Sequence, residues 1–298
     1  MTSTERYDDA VDAAALEADL RPIHPPEPLG PEPREETLAP ACPEVAKSPS
    51  PAVARAAAVL DLLAAEGHPM STTEIARRLG LAKSSTLNIC VTLEQAGLLS
   101  RRDGDFSLGR KTVELGAAYL RGFDIVREFY RECSSSRYVR NELAQIAMLD
   151  GDMALYLARH EGRAPLRLSA TIGDRFPASI TAVGCVLLAE LSEEVIRDRF
   201  REPESLPRWT DHSVGTLPEL LEKLEAVRER GYAIDDRETN PSVYGVAVLI
   251  PPRTSSGRAF ALGTSFLKAQ MTPPSRDGVI EELFRIRDNL ANPMYLAD

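Results

Sequence analysis

Aromatic residues are scarce in this sequence. They make up 6% of 298 residues, with a single Trp, which argues against an aromatic-lined sandwich or a carbohydrate-binding surface. Long hydrophobic runs are missing too: no stretch reaches about 18 apolar residues, so no membrane-spanning helix is expected. The first residues are polar and acidic and carry no hydrophobic signal core, so a cytoplasmic location is the expectation. Cys42, Cys90, Cys133 and Cys185 are scattered, without a CxxC pair. That spacing suits neither a disulfide framework nor a zinc site, and no cofactor or metal is expected. Only four His occur, His24, His68, His160 and His212. None stands in a nucleophile motif, and G-x-S-x-G, HExxH and a phosphate-cradling Gly loop are all absent. Catalysis is therefore not the expected role.

Basic charge is also in deficit, with 35 Lys+Arg against 45 Asp+Glu and a formal net charge of -10. Such a balance argues against a non-specific nucleic-acid coat but leaves room for one locally basic face. The acid is concentrated at the front. Residues 1–48 hold 11 Asp+Glu against 4 Lys+Arg, and 8 of the 22 prolines. A segment with so little apolar surface cannot offset its ordering entropy, so 1–48 reads as a disordered tail. The spacing Val11, Leu16, Leu20 would allow one transient helix within it. The remaining residues carry a net of -3 and are numerous enough to bury a core.

Order is expected from about Ser50. Val53, Ala56, Leu60 and Leu63 give one apolar helical face, stopped by Gly67 and Pro69. Ser71-Thr72-Thr73-Glu74 has the form of a capping box opening a second helix, with Gly80 as its breaker. A third helix is expected over 83–96, with Leu87, Val91 and Leu93 inward. Two short helices joined by a tight Gly-containing turn make a helix-turn-helix. Asp103-Gly104 between alternating residues then marks a hairpin, the wing of a winged version. Residues 50–112 contain 8 Lys+Arg and 6 Asp+Glu.

The third helix opens Lys83-Ser84-Ser85-Thr86, whose small hydroxyl residues permit close approach to phosphate or base edges. The bland alternative is that Ser84 and Ser85 merely cap the helix. Asn88 has the groups to pair with adenine, or is a solvated residue. Arg101 and Arg102 suit phosphate, or form a solvated wing. Ser71, Thr72, Lys83, Ser84, Ser85, Thr86, Asn88, Arg101 and Arg102 are thus the candidate DNA contacts.

These stretches, with Ala52-Val53-Ala54-Arg55-Ala56, the run from Leu93 to Leu98, Phe106-Ser107-Leu108-Gly109 and Val113-Glu114-Leu115-Gly116, resemble the IclR family of bacterial transcriptional regulators. The likeness extends over about residues 50–290. It rests on the order and spacing of the motifs rather than on one of them. Asn88 stands where the family commonly has Arg, a departure that bears on the operator sequence. The resemblance implies an α+β protein: a winged helix-turn-helix domain at 49–111, a linker helix at 112–130, and a GAF-like effector-binding domain at 131–298. It also implies binding to a double-stranded DNA operator and assembly as a homodimer or homotetramer.

The linker is expected as one helix from Thr112 to about Phe129, with Leu115, Tyr119, Phe123 and Val126 along one side. That face would pack on a partner chain or within its own. Next come a hairpin turning at Asp150-Gly151, a strand over 166–170, and a small-residue turn at 180–184 opening a helix over 185–191. A capping box at Thr216 starts a helix to Arg230. Strands follow at 232–235, 244–250 and 258–266, with a loop through Ser255-Ser256-Gly257, and a closing helix at about 277–290.

By resemblance this second domain holds a small organic acid. The run from Thr181 to Val186 matches the family's small-residue turn, where the amides of Ala182 and Val183, beside Gly184 and Cys185, would receive a carboxylate. Asp235 matches an effector-contacting acidic residue, with Glu238 as its neighbour. Val248 and Thr264 lie in two matching pocket strands. Cys185, Val248 and Phe266 replace residues that are more polar in the family, which favours an apolar or aromatic ligand body. Cys185 also reads as an inert core residue, and Asp235 as a loop cap. Two other readings remain open at this point: a hydrolytic enzyme on the GAF-like domain, and a protein-interaction adaptor that kept a winged helix.

Overall fold

A computed structural model describes residues 48–136, 138–162, 170–253, 257–270 and 272–291. Of the acidic tail, only Ser48 falls within them. The expected strand over 166–170 and Ser255-Ser256 also lie outside, Ala170 excepted. The chain divides into two compact units, whose described parts are 48–123 and 124–291.

In the first unit, α1 (Pro51–Glu66), α2 (Thr72–Leu79) and α3 (Lys83–Gln95) precede a hairpin of β1 (Leu99–Arg102) and β2 (Asp105–Leu108). Val59, Leu63, Ile75, Cys90, Leu93 and Phe106 form its core. The stripe of α3 is therefore Thr86, Cys90 and Leu93. Leu87, expected to point inward, is 38% exposed and Val91 half-buried. The i, i+4, i+7 set that faces the core starts one residue before Leu87, and a small Thr fits where the turn crosses the core. The wing turn is as expected: Asp103 and Gly104 both have positive φ, 54° and 94°, as the favoured two-residue hairpin turn requires.

The single helix expected over 112–129 is two helices. The first, α4 (Arg110–Arg121), ends in a tightened turn in which Gly122 and Phe123 donate to Tyr119 and Leu120. The second, α5 (Asp124–Ser135), begins the other unit. Gly116 lies inside α4 without breaking it, so glycine content alone does not place the break at Gly122.

Among the described residues the second unit is built on a six-stranded antiparallel sheet in the order β5-β4-β3-β8-β7-β6. Its strands are β3 (Leu143–Asp150), β4 (Met153–His160), β5 (Arg175–Pro177), β6 (Tyr232–Asp236), β7 (Val243–Ile250) and β8 (Phe260–Leu267). The β3–β4 turn sits one residue later than expected. Asp150 pairs with Met153 and leaves Gly151-Asp152 in the loop, with Gly151 alone at positive φ. Four helices complete the unit: α6 (Ala182–Ala189), α7 (Glu193–Arg199), α8 (Leu217–Arg230) and α9 (Pro273–Ala291). The short strand β5 and the helix α7 had no counterpart in the sequence reading. Thr216 forms the complete capping box expected of α8, and Gly231 ends it at φ 79°. One sheet face packs on α6, which is buried along its whole length. Close approach there is secured by glycine: a Cβ on Gly263 of β8 would lie 2.5 Å from Val183 Cγ1.

Candidate functional site

Two arrangements carry chemistry, one in each unit. In the first, Ser71 Oγ accepts from the Glu74 amide at 3.2 Å and starts α2, without a return bond from the Glu74 side chain. Gly80, at φ 61°, then turns the chain into α3. Ala82 occupies the N-cap of α3 and offers no side-chain acceptor, so Ser84 and Ser85 are not its caps. The first-turn amides of α3 consequently have no capping group, a setting that favours an anion.

Lys83, Ser84 and Asn88 are exposed, Ser85 and Thr72 half-buried. Thr86 does not belong with them. It is wholly buried, and its hydroxyl donates to the Ala82 carbonyl at 3.1 Å. Its place in the core-facing stripe of α3 turns it away from any DNA surface. Among the described residues, Arg77, Lys83, Arg101 and Arg102 have no carboxylate partner, whereas Arg78 is paired with Glu66. The Arg101 guanidinium lies 5.1 Å from the centre of the Phe106 ring, which steadies the wing.

The second arrangement is a cavity at the N-terminus of α6. Water-sized occupants have about 30 Å³ inside it, within a hollow of about 420 Å³ that counts its open mouth. Ala182, Val183, Asp235 and Thr264 line it, as expected from sequence. The hydroxyl of Thr181, the N-cap, accepts from the Gly184 amide at 3.1 Å. The amides of Ala182 and Val183 sit in the first turn, where no intrahelical acceptor exists, and both residues line the cavity.

Asp235 is buried and fastens the β6–β7 loop. Its Oδ1 accepts from the amides of Glu238 (2.7 Å) and Thr239 (3.3 Å), and its Oδ2 from the Thr239 hydroxyl at 2.5 Å. Burial pushes its carboxyl up to about 6, against the opposing pull of the Thr239 bond. The loop-cap reading of Asp235 is thus true of its present bonds, and the residue also faces the cavity.

Gly184, Cys185, Glu238 and Val248 do not line the cavity, and each has a physical reason. A Cβ on Gly184 would fall 2.3 Å from the Ala178 backbone, so its smallness serves packing. The Cys185 thiol points to the carbonyls of Ala178 and Ser179, at 3.5 and 3.4 Å, and burial raises it above the usual thiol range. Glu238 pairs with Lys223 at 2.5 Å, and Lys223 also donates to the Ser179 carbonyl at 3.0 Å. Burial opposes the Lys223 charge, but its neighbours, with Glu238 among them, hold its pKa above the ordinary lysine value. Val248 follows Ala247, which packs on the α6 side, so the pleat turns it to the opposite face. Phe266 does not line the cavity either. The three substitutions that favoured an apolar ligand body therefore lie outside its wall.

Sequence reasoning missed Gln145, Tyr156, Phe176 and Thr239 in the lining, and Lys223 behind it. Two signals were available. Gln145 is the one polar side chain in the apolar run from Leu143 to Leu149. Lys223 interrupts the buried stripe Leu220, Leu224 and Val227 of α8.

The comparisons with known proteins agree with this fold. The profile of the IclR helix-turn-helix domain matches residues 52–103, and that of the bacterial transcriptional regulator IclR C-terminal domain matches 117–290. The chain is 27% identical over 235 residues to the HTH-type transcriptional regulator KdgR of Dickeya chrysanthemi, covering 78% of this chain and 76% of that one. With XynR of Escherichia coli it shares 29% over 198 residues, 66% of this chain and 78% of that one. Among solved structures, an IclR transcriptional regulator from Alicyclobacillus acidocaldarius superposes with a TM-score of 0.71 at 26% identity. That match covers 82% of this chain and 98% of the other. An IclR homologue from Microbacterium hydrocarbonoxydans, solved with 4-hydroxybenzoate, has a TM-score of 0.67 at 23% identity, covering 80% and 98%. With a helix-turn-helix at its front, an effector-domain fold behind it and both profiles matched in that order, the chain belongs to the IclR family of bacterial transcriptional regulators.

Proposed function

We propose that this regulator binds a double-stranded operator through α2, α3 and the wing, and that a small organic acid in the α6 cavity controls it. On this reading Lys83, Arg101 and Arg102 meet phosphate, the Ser71–Thr72 and Ser84–Ser85 ends of the helices lie against the backbone, and Asn88 reads a base edge. The acid's carboxylate sits on the amides of Ala182 and Val183. The observation that carries the ligand half is that pair of open amides bordering a cavity at a helix N-terminus, where the helix dipole favours an anion. The Microbacterium hydrocarbonoxydans homologue solved with 4-hydroxybenzoate, itself an organic acid, supports the same class. The chain acts without catalysis, as a homodimer or homotetramer. Val113 and Leu115 on α4, 72% and 53% exposed, support assembly with a second copy.

Gel-shift titration of the full chain on the DNA upstream of its own gene, with and without small acids, tests this reading. Retarded DNA released or tightened by an acid is the expected result. No retardation on any upstream fragment would favour the adaptor reading, and light scattering reports the assembly.

A further inference from the structure

Two buried residues line the effector cavity with a polar atom that has no partner among the described residues, and they define what an occupant must offer. Tyr156 is 5% exposed and lines the cavity, and its hydroxyl has no hydrogen bond among the described residues. Gln145 is 4% exposed. Its Nε2 is spent on the Ala170 carbonyl at 2.7 Å, which leaves Oε1 without a donor. Both side chains stand on the α6 side of neighbouring strands, since Tyr156 pairs with Ala147 and Gln145 lies two residues from Ala147. The threonine hydroxyls of the lining are engaged: Thr264 donates to the Leu143 carbonyl at 2.7 Å, Thr239 to Asp235, and Thr181 accepts from the Gly184 amide. Buried polar atoms are almost always bonded in a native protein, so this donor and this acceptor await a ligand or water.

The walls also limit size. Space of about 30 Å³ accommodates about two waters, whereas an engineered cavity that accepts benzene measures about 150 Å³. The wall cannot retreat cheaply. Helix α6 already sits on Gly263 at a distance that no Cβ would allow, and a Cβ on Gly245 would touch Asp235 and Ala182 at 3.3 and 3.7 Å. Any acid, with the six heavy atoms of lactate included, must therefore use the open mouth of the hollow, and a ring acid needs more of it.

Building on the effector reading above, we propose that the ligand is a short aliphatic hydroxy acid. Its carboxylate lies on the amides of Ala182 and Val183, and its hydroxyl accepts from Tyr156 and donates to Gln145 Oε1. A keto acid meets only the Tyr156 donor. An unsubstituted acid, aliphatic or aromatic, meets neither group. Tyr156 and Gln145 are then the specificity-determining residues.

Lactate, pyruvate and propionate share one carbon skeleton, so calorimetry of the full chain with these three and benzoate tests the proposal. Lactate is expected to bind about tenfold tighter than pyruvate, the effect of one hydrogen bond, and propionate more weakly still. Benzoate should not compete. Tyr156→Phe should bring lactate down about tenfold and leave propionate unchanged, with the melting temperature as control for folding. Gln145→Met should weaken lactate but not pyruvate. Benzoate binding tighter than lactate, or Tyr156→Phe leaving lactate and propionate in their original order and spacing, overturns the hydroxy-acid assignment alone. If these acids bind but Ala182→Leu does not abolish that binding, the effector reading of the cavity fails as well.

Discussion

In the helix-turn-helix unit the candidate contacts lie on the surface, with Lys83, Asn88, Arg101 and Arg102 exposed around a small apolar core. In the sensor unit the polar groups are inside, where Asp235, Glu238, Thr239, Gln145 and Tyr156 are all buried beneath or beside α6. An exposed cation is cheap to keep and costs little to lose, because water solvates it when its partner is absent. A buried one is costly unless it is paired, so Lys223 holds Glu238, and the Glu238 and Thr239 amides with the Thr239 hydroxyl hold Asp235. The first unit can therefore vary its contacts residue by residue. The second must change them in sets.

Lys223→Met should give the largest effect. It leaves the Glu238 carboxylate, 9% exposed, without its cation, and such losses cost about 3–5 kcal/mol. Urea unfolding followed by the fluorescence of Trp209, the single Trp and packed 5.0 Å from Phe176, measures it. Adding Glu238→Leu should restore most of the loss. A cost below about 1 kcal/mol for Lys223→Met would mean that the sensor tolerates unpaired buried charge as a surface does.

Asp235 gives a pH signature. With its carboxyl raised to about 6, the folded chain keeps this proton while the unfolded chain, with an ordinary aspartate near 3.8, releases it. Sensor stability should therefore fall as pH rises from about 4 to 6, by about 3 kcal/mol from this group, and level off above. Asp235→Asn should flatten that slope in the same Trp209 unfolding experiment. A slope that persists in the variant would assign the proton to another group.

On the exposed side, Asn88→Ala should cost about 1–3 kcal/mol of operator binding and relax the preference at one base pair. Lys83→Ala should instead weaken all sequences alike and reduce the salt slope of log affinity by about one. Fluorescence anisotropy on operator and scrambled DNA separates the two, and equal losses on both DNAs for Asn88→Ala would remove it as a base reader. Ser71→Ala should have the smallest effect, about 1 kcal/mol of stability for one lost cap. Hydrogen exchange confined to α2 would register it, and protection unchanged from wild type would show that the cap does not hold the helix.

Much of the fold was written in short stretches. The Ser71 and Thr216 caps, the Gly80 and Gly231 stops and the Asp103-Gly104 turn each act within about four residues, so their chemistry is complete in the local sequence. The same holds for the open amides at the start of α6, which follow from Thr181 and the small residues after it. Family resemblance led to Asp235, yet its bonds to Glu238 and Thr239 are local as well. What tertiary structure alone decided is which side chains share a space. Val248 and Thr264 look equivalent along their strands, but the pleat and the packing of α6 place one behind the sheet and the other in the cavity. The face of α3 that holds Thr86 was settled by contact with the core rather than by its own periodicity. Lys223 reaches Glu238 and Ser179 only because α8 packs over the end of α6. Gln145 reaches the carbonyl of Ala170 across 25 residues of chain. Caps and turns are fixed by neighbours in sequence, while burial, and with it the value of a charge or a hydroxyl, is fixed by neighbours in space.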